Sequence, residues 1–131
     1  MPVAVTSIYA ALCGLLVIVL AKRVTDFRQS TKVGVGDGGD PAFNIAIRAH
    51  ANAVEYIPIS LILLLVAELN GLGPMWLHLA GAMIFGSRAA HAYGFTVSGG
   101  KYHPARFWGI AFNWLAIVAL SATGLVMPLL H

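Results

Sequence analysis

Apolar residues fill four long stretches of the chain, which are separated by three shorter polar or glycine-containing segments. A helix needs about 20 mostly apolar residues to cross a bilayer, so each stretch is long enough for one crossing. The pattern therefore predicts an all-α membrane protein, a four-transmembrane-helix bundle. Its helices are expected at about residues 3–21, 42–69, 74–95 and 104–127.

A polar stripe interrupts the second apolar stretch. Arg48, Asn52, Glu55 and Tyr56 fall within one third of the circumference of a helix that advances about 100° per residue. Ionisable groups at membrane depth cost about 2.5–3.5 kcal/mol each on insertion scales, so they usually face a bundle interior or a wet cavity. The stripe is the candidate site. The alternative is a polar network that fixes helix packing.

The third and fourth stretches carry polar residues toward the same half of the membrane. Arg88 and His91 project from one face of the third helix, and Arg106 follows Pro104 at the start of the fourth. An excess of arginine over carboxylate in a low dielectric suits an anionic ligand. The other face of the third helix is predicted to pack closely through a four-residue repeat of small residues, Ala82, Gly86, Ala90 and Gly94.

Composition supports the membrane assignment. Of 131 residues, 59% are hydrophobic and 10% are charged, whereas a soluble domain carries about 25% charged residues. Four crossings use the whole length, so residues 1–131 are predicted to form a single domain. The lone Cys13 is assigned to packing. No nucleic-acid-binding pattern is present, and the histidines lack metal-ligand spacing.

Basic residues predict the orientation. The first loop and its flank carry Lys22, Arg23, Arg28 and Lys32, and the third loop carries Lys101, whereas the second loop has no Lys or Arg. The positive-inside rule then places the first and third loops in the cytoplasm and both termini outside. The glycine-rich part of the first loop is expected to be mobile and not to form a phosphate cradle, because no Gly-Lys-Ser/Thr follows it.

The motif Arg-Ala-His-x-Asn-x-x-Glu-Tyr-x-Pro at 48–58, the four crossings and Pro-x-Arg at 104–106 resemble the MAPEG family, membrane-associated proteins in eicosanoid and glutathione metabolism. The resemblance covers essentially the whole chain. It implies a homotrimer of four-helix subunits that binds glutathione between neighbouring subunits near the cytosolic face. It also implies lipids and lipophilic small molecules as partners, and no metal.

The resemblance also assigns roles to individual residues. Arg106 would hold the glutathione sulfur as a thiolate, as a cation beside a thiol of ordinary pKa about 8.5 raises the thiolate fraction. Some members carry a second arginine on the second helix where this chain has Ala51. Some also have a ring hydroxyl where this chain has Phe95, although Tyr93 lies nearby. Glutathione-binding positions are expected at Lys32, Arg48, Asn52, Glu55, Tyr56, Arg88, His91 and Tyr93.

The function expected from this resemblance is a glutathione-dependent membrane transferase or peroxidase-like enzyme that acts on lipophilic electrophiles. The bacterial inner membrane is the expected location. The alternative is a non-catalytic lipid-binding or glutathione-binding membrane protein with a degenerate site. A small-ion or solute carrier could also use buried Arg and Glu, but the resemblance argues against it.

Overall fold

The computed structural model describes residues 3–130 and confirms the all-α prediction, with no strand in that range. The α-helices α1, α2 and α4 are long and apolar enough to cross a membrane. Helix α3 has sufficient length but is less apolar, because it contains Arg88 and two histidines, His78 and His91. The chain is therefore a multi-pass membrane protein. The helices are α1 (Ala4–Thr31), α2 (Pro41–Leu69), α3 (Pro74–Val97) and α4 (Pro104–Val126), followed by a 3-10 turn (Met127–Leu129).

Helix α1 extends ten residues beyond the expected end at residue 21, since it continues to Thr31. The extension is polar but contains nothing that breaks a helix. Lys22 and Asp26 form an ion pair at 2.8 Å one turn apart, and Phe27 stacks on Phe43 of α2 with ring centroids 5.2 Å apart. The polar residues from Lys22 onward mark the expected end of the membrane-spanning part, but the helix itself continues to Thr31.

The two middle helices hold the bundle together. Helices α2 and α3 pack against each other, and each also contacts α1 and α4. Within residues 3–130, α1 and α4 do not touch, so they flank the central pair on different sides. Short loops connect consecutive helices, which makes neighbours antiparallel. The motif-bearing part of α2 therefore lies at the same end of the bundle as the end of α3 and the start of α4.

The helix starts follow recognisable chemistry. The Asp40 carboxylate accepts from the Ala42 amide at 2.9 Å, and Pro41 occupies the first turn of α2. The His103 ring accepts from the Ala105 amide at 3.1 Å at the start of α4. Pro58 lies inside α2, yet the helix continues through it to Leu69.

Small residues allow close helix packing, but not where the four-residue repeat predicted. Gly86 has open space at its missing side chain, and Ala82 is exposed on the outside of the subunit. Close packing uses Gly81 against the Tyr9 ring and Gly109 against the backbone of α3. Of the predicted repeat, Gly94 makes such a contact, with the first turn of α4. The four-residue repeat of small residues identified one face of α3, but it could not indicate which helix packs against that face.

The N-terminus of α1 is capped from a distant part of the chain. The Glu68 carboxylate accepts from the backbone amides of Val5 at 2.9 Å and Thr6 at 2.7 Å. Val3, at the N-cap position, provides no side-chain cap. Because unpaired amides at a helix start carry partial positive charge, the carboxylate satisfies both the hydrogen bonds and the helix dipole.

We expect Glu68→Ala to lower the free energy of unfolding by about 0.5–2 kcal/mol, the range seen when a helix N-cap acceptor is deleted. Asp26→Ala is the matched control, because it removes a carboxylate from an exposed surface ion pair that contributes at most about 0.5 kcal/mol. Thermal unfolding of both variants in the same detergent compares them. Equal midpoints would show that the cap does not stabilise the bundle.

Candidate functional site

Arg88 lies at the centre of the candidate site and is buried, with 1% of its surface exposed. Its guanidinium donates to the Asn52 side-chain oxygen through Nη1 and to the Gly109 carbonyl at 3.1 Å through Nη2. It also lies over the Tyr56 ring, 4.9 Å from the centroid. Nε has no partner within residues 3–130. Arg88 thus connects α2, α3 and α4, and two predicted ligand residues of α2 serve as its partners.

Arg48 and Glu55 form a second group on the outside of α2. Their side chains are 52% and 56% exposed, and the closest nitrogen and oxygen atoms are 3.9 Å apart. Glu55 lies at the middle of the 29-residue helix, where an exposed charge would face hydrocarbon if the subunit stood alone. This loose ion pair retains hydrogen-bonding capacity for a further partner.

A stack of three side chains leads from the interior to the third loop. His91, which is 5% exposed, lies parallel to the Phe95 ring at 5.9 Å. The Arg106 guanidinium covers Phe95 at 4.9 Å and donates through Nη1 to the carbonyls of Gly100 and Lys101. Within residues 3–130, Arg106 uses no other nitrogen in a hydrogen bond, so Nη2 and Nε can meet a ligand.

Two predicted residues stand apart from these groups. Lys32 ends α1 in the left-handed conformation and is exposed. Tyr93 is 63% exposed and meets His103 edge to face at 6.0 Å. The structure brings the remaining predicted residues into three groups: Asn52, Tyr56 and Arg88; Arg48 and Glu55; His91 and Arg106.

The predicted site residues do not include a buried polar pair, one member of which lies one turn after Gly109 on α4. Ser60 and Asn113 are both fully buried, and the Asn113 amide donates to the Ser60 hydroxyl at 3.4 Å. The Asn113 side-chain oxygen has no partner within residues 3–130. The available signal was Ser60 itself, which lies two turns after Asn52 on the same face of α2.

The glycine-rich loop is held by an arginine that the sequence analysis assigned only to topology. Arg28 donates through Nη1 to the carbonyls of Val33 at 3.2 Å and Gly36 at 3.1 Å. Its guanidinium also lies 5.0 Å from the centroid of Phe43. These contacts connect the first part of the loop to α1 and α2.

Two grooves adjoin the start of α4. Arg106 lines one groove of about 290 Å³ together with Tyr102, His103 and Phe107. A larger groove of about 500 Å³ runs between α3 and α4 and is almost wholly apolar, with Gly86 and Trp108 among its lining residues. A cationic side chain and a lipophilic surface thus lie at the same end of the subunit. No cluster of three or more metal-ligating side chains occurs within residues 3–130.

Comparison with known proteins agrees with this architecture. The sequence model described as the MAPEG family matches residues 6–126. The inner membrane protein YecN of Escherichia coli K12 is 35% identical over 124 residues, which cover 92% of this chain and 90% of the relative. The YecN of E. coli O6:H1 strain CFT073 matches to the same extent.

Proposed function

The chain belongs to the MAPEG family, and we propose that it is a glutathione-dependent membrane transferase or peroxidase-like enzyme acting on lipophilic electrophiles. The observation that carries the proposal is the exposed Arg48–Glu55 pair on α2, in which Glu55 lies at the middle of the helix. Charges at that depth require a polar partner. A ligand that carries both a carboxylate and an ammonium group meets the requirement of both side chains.

Glutathione has this combination of groups. Its amino-acid end can place a carboxylate on Arg48, which binds it in two-point fashion, and an ammonium on Glu55. In this assignment Arg88 has a supporting role, because its hydrogen bonds to Asn52 and Gly109 hold α2 against α3 and α4. Tyr56 lies under the Arg88 guanidinium, and His91 is buried one turn further along α3. Lys32 and Tyr93 would contribute only from a neighbouring subunit or after a local movement.

The same exposed pair supports assembly into a homotrimer with the ligand between subunits. A second copy that covers this face of α2 removes Arg48 and Glu55 from lipid. We expect native mass spectrometry in a mild detergent to show three copies, and cross-linking to give the same number. A monodisperse monomer that binds glutathione with full affinity would contradict the inter-subunit site.

In this proposal Arg106 activates the thiol. The unengaged nitrogens of its guanidinium can stabilise the thiolate, while the thiol proton passes to water. The sulfur then forms a bond to the electrophilic carbon, and the leaving group departs with its bonding electron pair. In a peroxidase-like reaction, the thiolate would instead attack the terminal oxygen of a hydroperoxide. The O–O bond breaks, which gives glutathione sulfenic acid and an alkoxide that takes a proton from water. A second glutathione then converts the sulfenic acid to the disulfide and water.

The electrophile would reach the site from the bilayer. The apolar groove between α3 and α4 offers about 500 Å³ for a lipophilic molecule, and its lining includes Pro104 and Ala105 next to Arg106. We place the protein in a bacterial inner membrane, as the name of the E. coli relative supports. Its first and third loops, which carry the basic residues, would face the cytoplasm and its termini the opposite side.

A second candidate function is binding without catalysis. It is favoured by the degree to which Arg106 is already occupied, since Nη1 donates to two loop carbonyls and the guanidinium covers Phe95. A guanidinium held in this way could anchor the third loop and leave the sulfur unactivated. The protein would then bind glutathione or a lipid as a degenerate member of the family.

Turnover separates the two candidates. Purified protein is incubated with glutathione and a chromogenic electrophile, and thermal stability is followed in parallel. Stabilisation by glutathione together with conjugate formation supports the enzyme. Stabilisation without conjugate formation supports the binding protein. If glutathione neither stabilises the protein nor is conjugated, glutathione-dependent catalysis and glutathione binding are both contradicted.

A further inference from the structure

A third groove lies at the basic end of the bundle, and Arg106 is not among the residues that line it. It encloses about 530 Å³ between the end of α1, the start of α2 and the end of α3. Its polar lining includes Arg23, Asn44 and Thr96, and its apolar lining includes Phe27 and Ile45. A groove whose lining includes a cation as well as aliphatic and aromatic side chains suits an amphiphile.

The cation in this groove is available for an anion. Arg23 donates through Nη1 to the Thr96 hydroxyl at 3.1 Å, and within residues 3–130 its other nitrogens form no hydrogen bond. The Thr96 hydroxyl keeps its own proton to donate. Asp26, the nearest carboxylate in sequence, is neutralised by Lys22 at 2.8 Å. Arg23 and Thr96 thus form a two-residue donor set for phosphate oxygens.

The depth of Arg23 matches that of a lipid headgroup. The 20 residues from Ala4 to Arg23 span about 30 Å of helix, which is the thickness of the hydrocarbon core. The polar extension of α1 to Thr31 then continues beyond that level. Headgroup phosphates are therefore expected beside Arg23, with the glycerol end of the lipid against the groove and the acyl chains directed back toward the bilayer.

Charge selects the kind of lipid. Apart from the buried Arg88, the Lys and Arg residues of the chain lie toward this end and are exposed or partly exposed, whereas the second loop has neither. An acidic phospholipid is attracted by such a surface, while a zwitterionic lipid with the same acyl chains gains much less. We propose that the groove around Arg23 and Thr96 is a binding site for one acidic phospholipid.

Native mass spectrometry of the full-length protein tests the proposal with phosphatidylglycerol and phosphatidylcholine of identical acyl chains. We expect the wild type to retain phosphatidylglycerol at about tenfold lower lipid concentration than phosphatidylcholine, the equivalent of one charge-assisted contact. Arg23→Gln should abolish this preference, and Arg23→Lys, which keeps the charge and is the less disruptive change, should keep part of it. The matched control is Lys101→Gln, which removes an exposed cation from the same end outside the groove.

Three results would overturn the proposal. Equal retention of both lipids by the wild type would show that the groove does not select charge. An equal loss of preference in Arg23→Gln and Lys101→Gln would show that only the overall surface charge matters. Displacement of phosphatidylglycerol by glutathione or by inorganic phosphate at millimolar concentration would assign the groove to a soluble anion. Retention of the lipid in their presence supports the proposal.

Discussion

Replacing Arg106 by alanine should lower turnover at saturating glutathione by about 10²-fold or more, the scale seen when one preorganised donor to a developing anion is removed. The reason is that Arg106 is the cation assigned to the glutathione sulfur, and no other arginine opens α4. Glutathione affinity should change little, because in the proposed function Arg48 and Glu55 of α2 bind the amino-acid end of the peptide. Steady-state kinetics with a chromogenic electrophile measure both quantities.

Two further variants test whether the charge of Arg106 is required and whether binding and turnover can be separated. Arg106→Lys keeps a charge near the sulfur and should retain part of the activity. Arg48→Ala should show the opposite division, with glutathione binding weakened by about 1.5–3 kcal/mol and turnover at saturation preserved. Normal turnover in Arg106→Ala would leave this arginine as an anchor of the third loop, through its bonds to Gly100 and Lys101.

Gly109→Ala should destabilise the bundle by about 3 kcal/mol or more, at or above the upper end of the usual range for overpacking. A methyl group at this position would lie 2.6 Å from the Ser87 carbonyl oxygen and 2.8 Å from the His91 amide nitrogen. Both are backbone atoms of α3, which cannot move as the end of a side chain can. The Gly109 carbonyl also accepts from Arg88, so a shift of α4 would disturb the candidate site.

Gly124→Ala is the control on the same helix, because no atom lies within 4 Å of the added methyl group. Alanine is the better helix former, so this variant should be as stable as the wild type or up to about 1 kcal/mol more stable. Yield of monodisperse protein and the midpoint of thermal unfolding compare the two. A Gly109→Ala variant as stable as Gly124→Ala would contradict the close packing of α3 and α4.

The helices were predictable because each depends on a local property of the sequence. Runs of apolar residues indicated the segments, and Pro104 marked the start of α4. The end of α1 was not predictable in this way. A change from apolar to polar residues indicates where a helix leaves the hydrocarbon core, but a polar segment can remain helical. The cap on α1 was missed because Glu68 lies 63 residues from Val5.

The candidate site was predictable as a set of residues but not as an arrangement. The period of α2 placed Arg48, Asn52, Glu55 and Tyr56 on one face, yet the structure divides them. Asn52 and Tyr56 contact Arg88 inside the subunit, whereas Arg48 and Glu55 remain outside. A helical wheel gives the direction of a side chain, but the neighbouring helices determine whether it becomes a buried partner or an exposed ligand.

The central claim is that this chain binds glutathione and holds its sulfur as a thiolate beside Arg106. Ultraviolet difference absorbance on adding glutathione to the purified wild-type protein measures thiolate formation directly, with Arg106→Ala as the reference. The account predicts a thiolate signal that saturates with glutathione in the wild type at neutral pH and is lost in the variant. No saturable thiolate signal in the wild type, or an equal signal in both proteins, would contradict it.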